Sequence, residues 1–205
     1  MDLLTILLMS AAIFLTRVTN LKLGINIIVV QSVIVALACA IVGIHTGEVH
    51  MYIAAFLTVV IKVGLIPYAL YRVLPYLQEE REFVNPNFTT FTAILSIILA
   101  YGLIEKALPG FAANSTLPAA IALSFIGLLL IMTRRQALMQ TIGLITMENG
   151  LYLMGLSITQ GLPLIIELGI FFDVLVAVVV LVILTYRLKL SFATTDTGLL
   201  KKLKG

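Results

Sequence analysis

The sequence predicts an all-α, polytopic integral membrane protein with about seven transmembrane helices. Three observations carry this. Of the 205 residues, 61% are hydrophobic and only 11% charged, with a mean hydropathy of +1.14; a soluble domain averages about 25% charged residues. Several apolar runs approach or exceed the roughly 20 residues that cross the hydrocarbon. None shows the alternation of a barrel strand, and without water to satisfy the backbone a helix is the remaining solution.

Seven apolar segments can be cut out: 2–16, 23–44, 51–74, 89–108, 117–133, 136–159 and 162–186. The first reaches only about 21 Å at the helical rise. It carries Asp2 and no basic stretch before its apolar run, so it is expected to be structure and not a cleaved signal. The third contains Pro67, which removes a backbone bond to Val63 and is expected to kink the helix near Lys62. If all seven cross, the first, third and fifth loops and the tail share one side. That side holds Arg17, Lys22, Arg72, Arg81, Arg134, Arg135, Arg187, Lys189, Lys201, Lys202 and Lys204, eleven of the thirteen basic residues. It is therefore expected to be cytoplasmic, with the N-terminus outside, in the cell inner (cytoplasmic) membrane. The net charge of +3 is a topology signal and no sign of nucleic acid.

The loops add little chemistry. Residues 75–88 carry Glu79, Glu80, Arg81 and Glu82 between two prolines, either as a solvated linker or as a docking surface. The tail 189–205 is basic and partly apolar, suited to an anionic inner surface. Asn114-Ser115-Thr116 matches a sequon by pattern alone. Cys39, the one cysteine, reads as a small core residue. His45 and His50 flank an outer turn and read as surface histidines. No nucleotide loop, nucleophile elbow or CxxC occurs, so the chain is expected to be no enzyme by itself and to hold no metal or cofactor.

The chain partly repeats. Setting Thr16-Arg17 against Thr133-Arg134 puts Ile25 on Ile142, Ile28 on Ile145 and Gln31 on Glu148. Four units follow: 1–88, a three-helix membrane unit with its loop; 89–116, a bridging helix and outer loop; 117–188, a second three-helix unit running parallel to the first; and 189–205, the tail.

Polar groups at depth carry the chemistry. Counting the rise from the helix ends, Glu148, Asp173 and Lys62 each lie about 17–18 Å into their spans, near the midplane. Gln31 is roughly halfway along the second segment, and Glu167 is about 8 Å from the outer surface. Four ionisable groups unpaired in spans would cost about 10–14 kcal/mol on the insertion scale. They are paired, wetted or used. One reading is structural, for example a Lys62–Asp173 ion pair that pins helices. The other is a proton or ion path, since the acids outnumber the lysine three to one. Asp173 and Glu167, six apart, point about 120° from each other, so Asp173 can face Glu148 while Glu167 turns elsewhere. Asn149 and Tyr152, beside and one turn beyond Glu148, can hold water or make interhelical hydrogen bonds.

Arg134-Arg135-Gln136-Ala137-Leu138, then Ile142-Gly143-Leu144 and Met147, resembles the second helix of the K-type (NuoK-like) subunit of respiratory complex I. Leu164-Ile165-Ile166, Asp173 and Ala177-Val178-Val179-Val180-Leu181 look similar to its third. In that family the first buried glutamate would fall on Ile145; Glu148 lies one turn deeper, and the second acid is Asp173. With Gln31-Ser32, the Lys62 span, Met147-Glu148-Asn149-Gly150 and Phe171-Phe172-Asp173, the whole chain resembles the hydrogenase-4 component E family. That resemblance implies a membrane subunit of a complex I-related NiFe-hydrogenase or formate hydrogenlyase assembly. Its partners would be antiporter-like and H-type membrane subunits, a peripheral NiFe and iron–sulfur arm, and lipid. Glu148, Asp173 and Lys62, with Gln31 and Glu167, would carry protons or cations. The alternatives are a subunit of a cation/proton antiporter complex, a small stand-alone transporter, or a structural spacer.

Overall fold

In a computed structural model, residues 2–74, 85–107 and 116–159 are described, with 175, 178 and 182. The elements are α1 (Asp2–Arg17), α2 (Leu21–Thr46), α3 (Val49–Thr58), a π-helical segment (Val59–Leu65), α4 (Ile66–Val73), α5 (Pro86–Ala107), α6 (Thr116–Thr133) and α7 (Ala137–Thr159). Among the described residues there is no strand. Four helices among the described residues are long and apolar enough to cross a membrane: Leu21–Thr46, Val49–Arg72, Pro86–Ala107 and Thr116–Thr133. The expected first and sixth spans are helices but are not among the four; α1 is short, and α7 carries several polar residues. The expected seventh span, 162–186, lies outside the described residues except for Leu175, Val178 and Val182. These three are helical, one turn apart in register, and pack on the core.

The helix starts have local causes. Asn20 caps α2, accepting from the backbone N–H of Lys22 at 2.9 Å and of Leu23 at 3.3 Å. Asn85 accepts from the Asn87 N–H at 3.0 Å and opens α5. Arg134, itself buried, donates Nη2 to the last carbonyls of α1, Leu15 at 3.3 Å and Thr16 at 2.7 Å. A cation at a helix C-terminus suits both the free carbonyls and the dipole. Arg17 reaches Asn87 at 3.1 Å, and Tyr71 reaches Asn26 at 2.5 Å. Arg17, Lys22, Arg72, Arg134 and Arg135 thus gather at one end of the bundle. Glu48 and Glu105 sit at the other end, in keeping with the alternating helix directions.

Helices α6 and α7 form a close antiparallel hairpin. A Cβ on Gly127 would collide with the Met147 backbone, and one on Gly150 with Ser124. Small residues let two backbones approach where lipid offers no hydrophobic drive for association. Helix α7 is covered by α6 on one side and α2 on another, with α1 joining α2, α5 and α6 around them. The helix that carries the buried acid is therefore central.

Candidate functional site

Pro67 shapes the lysine's side of the site. It lacks the N–H that an α-helix would give to Val63, and its ring crowds that carbonyl. The helix responds by widening. The Ile66 N–H bonds back five residues to the Ile61 carbonyl, and Val59–Leu65 is π-helical. Where a kink was expected from Pro67, the structure has a π-helical segment, and Lys62 lies inside it. Such segments recur at functional positions. Lys62 is 1% exposed.

Glu148 is the central residue of α7 and is 2% exposed. Its carboxylate forms an ion pair with the Lys62 ammonium. The same ammonium donates to Asn149 Oδ1 at 2.8 Å. Consecutive residues of α7 therefore grip one lysine from the preceding half of the chain. A buried pair offsets its desolvation only with close geometry and added hydrogen bonds, and Asn149 supplies one. Asp173, the partner that the structural reading gave to Lys62, lies outside the described residues, as does Glu167.

The polar region continues along the α2–α7 interface. Thr146 Oγ1 donates to Gln31 Oε1 at 3.2 Å and lies 2.9 Å from the Ile142 carbonyl. Farther along, Cys39 Sγ donates to Tyr152 Oη at 3.2 Å. Cys39 is also within electrostatic range of Lys62. Gln31–Thr146 and Cys39–Tyr152 advance in the same direction on both helices, so α2 and α7 are parallel and side by side. Among the buried polar atoms without a hydrogen-bond partner among the described residues are Gln31 Nε2, Ser32 Oγ, Glu148 Oε1 and Asn149 Nδ2. Such atoms in a membrane interior mark a place for water or for a mobile proton.

Of the residues flagged from sequence, Lys62, Glu148 and Asn149 meet directly, and Gln31 and Tyr152 lie on the same interface. Sequence reading missed Thr146, Ser32 and the bond made by Cys39. Thr146 gave one weak signal, standing one turn before Asn149 on the same face. Ser32 appeared only beside Gln31 in the family resemblance and Cys39 gave no signal, because small polar residues are common inside membrane bundles. His50 Nδ1 lies 3.4 Å from Glu48 Oε2 at the turn between α2 and α3. Among the described residues no group of three or more His, Cys, Asp or Glu could hold a metal ion.

No family model matches the chain, and no solved structure matches it. Hydrogenase-4 component E of Escherichia coli K12 is 28% identical over 204 residues, covering 97% of this chain and 94% of that protein. The component of the same name from Shigella flexneri matches equally. An uncharacterized protein of Mycobacterium tuberculosis is 40% identical over 96 residues, 47% of this chain. That match covers only 43% of the mycobacterial protein's length. The match runs along nearly the whole length of both chains: this chain is a homologue of hydrogenase-4 component E.

Proposed function

We propose that this chain is a non-catalytic membrane subunit of a complex I-related hydrogenase assembly, in which Lys62 and Glu148 pass protons through the membrane interior. The carrying observation is the buried Lys62–Glu148 pair in the middle of two helices, with Asn149 on the same ammonium. An ion pair there conserves charge while a proton moves. Transfer from Nζ to the carboxylate breaks one N–H bond, forms one O–H bond and leaves amine and acid. Uptake by the amine and release from the acid complete a passage.

The relatives' name supports the assembly, and the helix arrangement supports the two-unit reading. Gln31 and Glu148, matched by the internal offset, lie on parallel neighbouring helices. Residues 117–188 would be the NuoK-like unit, and Asp173 and Glu167 would extend the path from the last span. The end that gathers Arg17, Lys22, Arg72 and Arg135 would face the cytoplasm and receive the peripheral arm. Antiporter-like and H-type subunits would continue the polar axis sideways.

Glu148→Gln in the assembled complex tests this. Hydrogen turnover should persist, while turnover-driven proton movement into vesicles should fall at least tenfold. Undiminished proton movement would sink the path reading.

A further inference from the structure

An inventory of the site's oxygens bears on which ion it handles. An alkali cation entering a membrane interior must exchange its hydration shell for several oxygen ligands. Around Glu148 most of those oxygens are engaged. One carboxylate oxygen, Glu148 Oε2, is paired with Lys62. Asn149 Oδ1 accepts from the same ammonium at 2.8 Å. Gln31 Oε1 accepts from Thr146 at 3.2 Å, and Tyr152 Oη from Cys39 at 3.2 Å. Of the atoms left without a hydrogen-bond partner beside the pair, Gln31 Nε2 and Asn149 Nδ2 are N–H donors, which repel a cation; the oxygens are Glu148 Oε1 and Ser32 Oγ, fewer than the several ligands an alkali cation needs.

Lys62 occupies the place a bound cation would take. Its ammonium touches the carboxylate and an amide oxygen, as a metal ion would, but it is tethered to the π-helical segment. A sodium ion would have to displace it or sit beside it, putting two positive charges against one negative in a poorly screened interior. A proton meets no such obstacle. It is carried by making or breaking an O–H or N–H bond at atoms already in place.

We propose that Lys62 is the site's fixed cation and its specificity-determining residue, restricting Glu148 to protons and excluding sodium. This rests on the proton-path reading for its meaning, but binding can be tested apart from transport. The full chain in detergent is unfolded thermally in sodium chloride and in choline chloride at equal ionic strength. The wild type should show the same midpoint in both. Lys62→Ala vacates the seat beside the carboxylate and should gain about 3 °C or more in sodium. The gain should vanish in Lys62→Ala/Glu148→Gln. Lys62→Arg, which keeps a fixed cation, should remain indifferent to sodium. Wild-type stabilisation specific to sodium would overturn the proposal, even if Lys62→Ala fails to fold. So would a folded Lys62→Ala that ignores sodium. The Glu148→Gln transport assay fails separately: a sodium-indifferent wild type with undiminished proton movement in Glu148→Gln would remove the transport reading and leave the seat assignment standing.

Discussion

Helices α5 and α7 have nearly the same length, 22 and 23 residues, and opposite surroundings. Helix α5 turns large apolar side chains outward: Phe91 is 66% exposed and Ile98 62%. Helix α7 buries Thr141, Thr146, Glu148 and Asn149. Of the two, only α5 is apolar enough to count as a membrane span by composition. In water the more apolar helix would go inside. In lipid an exposed Phe91 or Ile98 costs nothing, while polar groups must find each other. Polarity, and not hydropathy, therefore marks the centre of this bundle.

The contrast can be broken most sharply at the ion pair. Lys62→Ala strands the Glu148 carboxylate and should cost about 3–5 kcal/mol, read as thermal unfolding of the full chain in choline medium. Lys62→Met with Glu148→Gln should recover most of that loss, since an uncharged pair strands nothing. A negligible cost for Lys62→Ala would mean that bulk water already reaches Glu148.

A smaller effect is expected from packing. Gly127→Ala drives a methyl into the Met147 backbone and should cost about 1–3 kcal/mol, as overpacking does. Gly102→Ala on α5 meets nothing within 4 Å and should be neutral or mildly stabilising, because alanine is the better helix former. Equal melting shifts for these two glycines would erase the distinction between the helices.

The smallest change is expected at Ile98→Ala, on the outward face of α5. Its stability in detergent should stay within about 0.5 kcal/mol of the parent. A larger loss would mean that this face is covered by protein and not by lipid.

Much of this was legible in the chain. The apolar runs located the described helices to within a few residues. Counting the rise put Lys62, Glu148 and Gln31 at similar depth, because helical rise converts position into distance. Pro67 announced an irregularity beside Lys62. Its π-helical form was not legible, since a proline says which bond is lost and not how the neighbouring turns absorb the loss. Nor was Thr146 visible as the donor to Gln31. Depth follows from one helix alone, but partnership needs the rotation of two.

The sequence by itself determined that the protein is helical and apolar and that costly polar groups sit near the middle of their helices, because composition, period and rise are local properties. Only the tertiary structure decided that Lys62 meets Glu148 and Asn149, and that α7 is the shielded helix. Those outcomes depend on which faces pack together, and that depends on close approaches such as Gly127 against Met147 and on the widened turn before Pro67.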